Sequence, residues 1–123
     1  MLSTWRRLLS ALILVLAAAG CDGSASHRET FAELLKTNED LLAVLKQVKD
    51  EASMEKARPE LRKISWRSEK IAKRLKALGQ PSSELMAEMA EPLAAVRKEV
   101  TKEALRITHL PGGQDFVDAM KHL

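Results

Sequence analysis

The sequence contains a single cysteine and no tyrosine, and each scarcity excludes a class of structure. One cysteine cannot form an intrachain disulfide, so a domain of this size depends on packing alone. Aromatic residues make up only 3% of the chain, whereas strands favour aromatic and β-branched side chains. The sequence therefore argues against a disulfide-stapled scaffold and against a β-sandwich.

Motifs that carry catalysis or bind cofactors are also missing. There is no Gly-rich phosphate loop, nucleophile elbow or paired-carboxylate signature, so we expect no enzyme and no catalytic residues. The three histidines, His27, His109 and His122, share no helix face, and a metal site needs three or four converging ligands. A Cys-x-x-Cys-His motif is absent, which excludes covalent haem. We therefore expect neither a metal nor a cofactor.

What the chain does contain is mainly leucine, alanine and charge. Apolar residues are 46% and charged residues 30% of the sequence, an ordinary balance for a globular domain. The formal charge is +3, but Arg6 and Arg7 contribute two of these charges. From residue 21 onward, the remaining 18 Lys and Arg face 17 Asp and Glu, a net of +1. Overall basicity therefore gives little support to a nucleic-acid partner.

The first 20 residues have the three parts of an export signal. Arg6 and Arg7 form a basic start, residues 8–19 are an apolar run, and small residues lead to Gly20 and Cys21. A membrane span needs about 20 apolar residues, so this run is short for one. The order of these parts predicts a signal peptide over residues 1–20.

The sequence Ala18-Ala19-Gly20-Cys21 resembles the cleavage motif of bacterial lipoprotein precursors, the type II signal peptide. That family usually has Leu at the place of Ala18. The resemblance implies cleavage after Gly20, a diacylglyceryl thioether on Cys21 and acylation, for example by palmitate, of the new amine. Two or three chains anchor a protein stably, which implies an extracytoplasmic protein held at the inner or outer membrane. The alternative is an ordinary signal peptide followed by a chance cysteine.

Residues 22–27 are small and polar, so we expect residues 21–27 to be the lipidated cysteine and a flexible tether. Three apolar patterns of heptad spacing follow, over residues 31–52, 54–78 and 86–107. Steps of three and four place apolar residues on one helix face. Residues 28–123 are therefore predicted to form an all-α domain, an antiparallel three-helix bundle with a short C-terminal fourth helix.

Turn signals separate the predicted helices. Ser53 is the expected N-cap of the second helix, Gly79 its C-terminal cap, and Ser82 or Ser83 the N-cap of the third. Pro59 is expected to bend the second helix or mark its firm start, and Pro92 to kink the third. Residues 111–113 end the third helix, and the fourth holds Phe116, Val117, Met120 and Leu123.

Two features of the apolar faces leave alternatives open. Asn38 and Ser68 occupy positions within the stripes, either as a buried polar pair that fixes register or at the stripe edge. Three distinct apolar faces favour a monomer, whereas an extended hairpin would dimerise as a coiled coil.

The second helix is basic, with nine Lys and Arg but only two acids between residues 56 and 76. Trp66 lies opposite the apolar stripe with cations one turn to either side. A Trp among cations suits anionic lipid headgroups or an anionic polymer, and the possible surface-binding patch consists of Arg62, Lys63, Trp66, Arg67, Lys70 and Lys73. The alternative is a solvated face paired with acids of the first helix, with Trp66 covered by Phe116, Val117 and Met120.

Three functions fit these features. The first is a small lipid-anchored extracytoplasmic protein with an interaction or structural role at the cell envelope, where its partner would be an envelope protein. The second is a binder of anionic membrane surfaces or polymers that uses the basic helix. The third is a carrier of a small ligand between helices.

Overall fold

The computed structural model describes residues 23–121, and this part of the chain is helical and without strands. Four helices follow one another there: α1 (Gly23–Lys46), α2 (Glu51–Leu78), α3 (Ser83–Thr108) and α4 (Gly113–Lys121). The predicted all-α bundle with a short C-terminal fourth helix is confirmed. The predicted signal peptide, Gly20, Cys21 and Leu123 lie outside the described residues.

The first helix starts earlier than the sequence indicated. α1 begins at Gly23, so residues 23–27 are helical, which corrects the predicted tether over 21–27. His27 is only 4% exposed, and its Nε2 donates to the carbonyl oxygen of Gly79 at 3.0 Å. The start of α1 is thereby joined to the turn between α2 and α3. Small polar residues carry no apolar period, so the pattern could not reveal this first turn.

A reciprocal cap starts α2, but its N-cap is Asp50 and not Ser53. Asp50 has extended backbone angles, and its carboxylate accepts from the backbone N–H of Ser53 at 2.8 Å. The Ser53 hydroxyl accepts in turn from the N–H of Asp50 at 3.0 Å. The pKa of Asp50 is lowered below its ordinary 3.8, mainly by the hydrogen bond from the backbone N–H of Ser53 and next by that from the Ser53 side chain. The box satisfies N–H groups that a helix start leaves unpaired.

The other helix ends follow the turn chemistry of the sequence. Gly79 caps α2 with a φ of 78°, a left-handed conformation that glycine adopts without steric cost. Ser82 caps α3, and its hydroxyl accepts from the N–H of Leu85 at 3.2 Å. Pro59 and Pro92 both lie inside their helices, so neither ends one. α3 ends at Thr108, just before the predicted break.

The first helix is the centre of the bundle. α1 packs against both α2 and α3, whereas the backbones of α2 and α3 approach each other much less. Arg67 pairs with Asp40 at 3.0 Å and Arg74 with Glu33 at 2.9 Å. From the first pair to the second, the residue on α2 lies seven positions later in the chain and the residue on α1 seven positions earlier. The two pairs therefore fit one antiparallel register of α1 and α2. Up-down-up order then makes α1 and α3 parallel.

The hydrophobic core is densest where α4 folds back onto the long helices. Phe116 is 1% exposed, and Val117 is also buried. They join a buried cluster supplied by the end of α1, the loop after it, the N-terminal half of α2 and the end of α3: Leu45, Val48, Met54, Ala57, Leu61 and Ile107. All of these residues lie within 23–121, so this part of the chain carries its own core.

The two polar residues in the apolar stripes do not form a buried pair. Asn38 is half-buried and donates to the carbonyl oxygen of Leu34, one turn earlier, at 2.8 Å. Ser68 is also half-buried and lines a shallow surface hollow beside Ser65. Both therefore fit the stripe edge, which is the second of the two interpretations of the sequence.

Candidate functional site

The second helix has an apolar side in the core and a basic side in solvent. Its buried side chains recur at heptad spacing along one stripe: Met54, Ala57, Leu61, Ile64 and Ile71. The six predicted patch residues lie away from this stripe, and five of them are exposed: Arg62, Lys63, Trp66, Lys70 and Lys73. The sixth, Arg67, is half-buried beside α1.

Trp66 is an exposed aromatic side chain held by a cation. Its exposed fraction is 58%, and the Lys70 ammonium lies 3.6 Å from its ring centre. The two residues are one helical turn apart, so their shared face follows from helix geometry. A cation over an exposed indole contributes about 0.5–1 kcal/mol. This contact orients the ring without burying it.

The last helix does not cover Trp66, which corrects one of the sequence-based interpretations. Phe116 and Val117 are buried in the core at the opposite side of α2, and Met120 lies beside Leu61 and Ile64 of the apolar stripe. The apolar face of α4 is thus explained by the core. The exposure of Trp66 needs a separate explanation.

The cations of α2 divide into paired and unpaired groups. Arg67 and Arg74, on the side nearest α1, form ion pairs with Asp40 and Glu33, and Lys63 reaches Glu60 at 3.4 Å. Within residues 23–121, no ion pair involves Arg62, Lys70 or Lys73. The partial pairing expected with α1 is therefore confined to one edge of the patch.

A shallow hollow of about 210 Å³ lies between α1 and α2 at that edge. Four cations and one carboxylate line it, together with Thr37 and Ile71: Lys36, Arg67, Lys70, Arg74 and Glu33. Lys36 and Arg74 were not among the predicted patch residues, because only the packing of α1 on α2 brings them beside it. The hollow extends the positive surface from Trp66 towards α1.

Nothing in the sequence indicated one stabilising contact between α3 and the end of α1. The Arg106 guanidinium donates to the carbonyl oxygens of Val48 at 2.8 Å and Leu45 at 3.0 Å. These carbonyls lie at and just beyond the C-terminal end of α1, where a cation is favourable. Glu103 holds the same guanidinium through Nε at 2.7 Å. A basic residue near the end of α3 was visible in the sequence, but its target on α1 was not.

Other kinds of site find no support in the described residues. No helix in residues 23–121 has the length and apolarity to cross a bilayer. The same part of the chain holds no cluster of three or more His, Asp or Glu side chains able to bind a metal ion. His109, one of the histidines considered above, is exposed at the end of α3.

Known proteins offer no independent assignment of this surface. No protein-family model matches the chain, and no curated protein or solved structure is similar to it.

Proposed function

We propose that the chain is a small lipid-anchored extracytoplasmic protein with an interaction role at the bacterial cell envelope. The support for the anchor is the basic, apolar and small-residue order of residues 1–20 followed by Cys21. α1 begins at Gly23, so only Asp22 would separate the acyl chains from a helical body. Such an anchor would hold the bundle close to the lipid headgroups.

We further propose that the bundle rests on anionic lipid through the basic face of α2. The observation that carries this proposal is the exposed Trp66, with the Lys70 ammonium over its ring. The cations around it, Arg62, Lys70 and Lys73, lack ion-pair partners among the described residues. An indole flanked by cations suits the membrane interface, where its ring meets the boundary of the acyl region and its N–H stays polar.

The positions of Lys73 and Trp66 along α2 determine how the bundle would lie on the membrane. The hydrogen bond from His27 to Gly79 puts the start of α1 beside the end of α2, so an anchor at residue 21 brings that end to the membrane. Lys73 is about 8 Å from the last residue of α2, but Trp66 is about 18 Å away. A headgroup layer is only about 5–7 Å thick. For Trp66 to contact the headgroups, the bundle must therefore lie on its side, with the long axis of α2 along the membrane surface.

The energies explain why such a surface would need the anchor. A Lys or Arg at an anionic membrane surface contributes about 1 kcal/mol, so Arg62, Lys70 and Lys73 supply about 3 kcal/mol together. That is weaker than a millimolar dissociation constant, which corresponds to about 4 kcal/mol. The basic face would thus orient an anchored protein and bind only weakly alone.

Co-sedimentation of residues 22–123 with vesicles tests the basic face. We expect weak binding, detectable at millimolar lipid, to vesicles that contain anionic phospholipid. Binding to neutral vesicles should not be detectable, and binding to anionic ones should be lost at about 1 M salt, where the Debye length is about 3 Å. The double variant Arg62→Gln with Lys73→Gln should lose most of the binding. The matched control is Lys98→Gln with Lys102→Gln, since both lysines are exposed on α3. Equal losses in the two double variants would contradict a specific face.

The anchor has its own test in Cys21→Ser expressed in a bacterium. We expect the parent chain in the membrane fraction, shortened by cleavage, and the variant uncleaved by the lipoprotein route and without label from radioactive palmitate. Equal labelling and processing of both chains would remove the lipoprotein proposal.

A further inference from the structure

An open apolar groove lies where the bundle is incomplete. Because α1 separates α2 from α3, a gap remains between these two helices on one side. α4 fills the half of this gap that lies over the C-terminal part of α1, where Phe116 and Val117 are buried. The half over the N-terminal part of α1 stays open as a groove of about 440 Å³.

All three long helices contribute apolar side chains to this groove. Phe31 and Leu34 of α1, Leu75 of α2 and Met86, Met89 and Leu93 of α3 line it. Met86 is 49% exposed, and most of the others are half-buried, although their heptad spacing predicts a core. Methionine side chains are flexible and polarisable, so they adapt to apolar partners. The three helices thus form an apolar surface that stays open to solvent.

Arg97 is the single charged residue in the lining. It lies on the third helix about 16 Å along the axis from Met86, so it stands towards one end of the groove. Its side chain forms no ion pair with any residue in the described part of the chain. A guanidinium offers two parallel donors that match a carboxylate. The groove therefore has long apolar walls and, towards one end, one arginine that can bind an anion.

The lining matches a ligand with one long apolar part and one anionic end. Apolar side chains from three helices form the walls, and Arg97 is the one charged residue among them. An alkyl chain would lie along the apolar walls, and a carboxylate at its end would meet the guanidinium of Arg97.

We propose that this groove binds one fatty acid, with the alkyl chain between α2 and α3 and the carboxylate on Arg97. This proposal is independent of the membrane anchor and of the basic face of α2. Each buried methylene tightens such binding about fourfold. Affinity should therefore rise steeply with chain length and stop rising once the groove is full.

The test uses isothermal titration calorimetry on residues 22–123 purified without detergent, with octanoate, decanoate and dodecanoate below their micelle concentrations. We expect one site and a gain of about tenfold or more for each two carbons. Ala90→Trp should lower dodecanoate affinity at least tenfold, because Ala90 lines the groove. Its matched control is Ala95→Trp, since Ala95 is also exposed on α3 but lies outside the lining.

The head-group contact is tested with Arg97→Gln and the control Lys98→Gln. We expect the first variant to weaken dodecanoate binding about tenfold, to leave dodecanol binding unchanged, and the control to behave as the parent. Circular dichroism of each variant checks the helix content. No binding of dodecanoate, equal losses in Ala90→Trp and Ala95→Trp, or a loss in Lys73→Gln as large as in Arg97→Gln would each overturn the proposal. The last result would place the ligand on the basic face of α2.

Discussion

At the scale of single residues, the contact with the clearest energetic consequence is that of Arg106 with the end of α1. We expect Arg106→Ala to lower the free energy of unfolding by about 1–2 kcal/mol, because charged hydrogen bonds to two carbonyls are lost. The loss stays modest because the Arg106 side chain is 40% exposed, so water screens its charge. Urea unfolding followed by circular dichroism measures the change. Lys102→Ala, one turn earlier on α3, should shift the midpoint far less.

Asp50 makes the start of α2 sensitive to acid. Its pKa is lower in the folded chain than in the unfolded chain, mainly because the Ser53 N–H donates to the carboxylate. The stabilisation is therefore present above the ordinary pKa of 3.8 and is lost as pH falls through the lower folded value. We expect the parent to melt at a higher temperature than Asp50→Ala at neutral pH, with the difference shrinking in acid. A difference that stayed constant with pH would contradict this role for the carboxylate.

Predictability from the sequence differed between these residues for a physical reason. Gly79 and Ser82 act on their own backbone neighbours, so local turn chemistry identified them. Arg106 and His27 act on carbonyls more than 50 residues away in the chain, and no local pattern carries that information. Ser53 was placed at the right turn but in the wrong role, because Asp50 and Ser53 are both acceptable N-caps.

At the scale of helices, the fold depends on the tight connection between α3 and α4. Gly113 packs so closely on the end of α3 that an added Cβ would lie 1.7 Å from the carbonyl oxygen of Ile107. We expect Gly113→Ala to cost at least about 2 kcal/mol of stability, since backbone must move to relieve the overlap. Gln114→Ala, at the next and exposed position, should change stability by about 0.5 kcal/mol or less.

Hydrogen exchange locates the effect of Gly113→Ala. We expect the amides of α4 to lose protection first, because Phe116 and Val117 can no longer reach their places in the core. Protection retained throughout α4 would show that the connection accommodates a Cβ, contrary to the geometry described above.

Heptad spacing predicted the number and extent of the long helices, but not how completely these helices cover one another's apolar faces. The same pattern contains Leu45, which is fully buried, and Phe31, which is not. The difference arises because α4 covers only one half of the gap between α2 and α3. Its placement is set by a short turn, and the apolar period says nothing about which half that turn leaves open.

At the scale of the whole molecule, the chain supplies a natural probe of its orientation. Trp5 and Trp66 are its two tryptophans, so Trp66 alone reports fluorescence from residues 22–123. We expect anionic vesicles to shift the emission to shorter wavelength, because the ring would leave water for the interface. Quenchers placed near the headgroups should quench more than quenchers at the bilayer centre. Unchanged emission at lipid concentrations that co-sediment the protein would show that another face binds.

The net charge of the whole molecule differs from the local charge of α2. The net of +1 after residue 20 predicts no strong general attraction to polyanions, whereas α2 concentrates its cations on one face. The sequence showed this asymmetry because helix periodicity fixes which residues share a face. It could not show that Glu33 and Asp40 neutralise only one edge, since that depends on the register of α1 against α2.

The central place of α1 has a mechanical consequence. A pull on the start of α1, such as a membrane anchor would exert, is loaded through the His27 to Gly79 hydrogen bond onto the turn between α2 and α3. α1 packs against both α2 and α3, so pulling it out along its axis would slide it past both neighbours at once. Tension applied at that terminus would therefore be shared by the contacts of both interfaces.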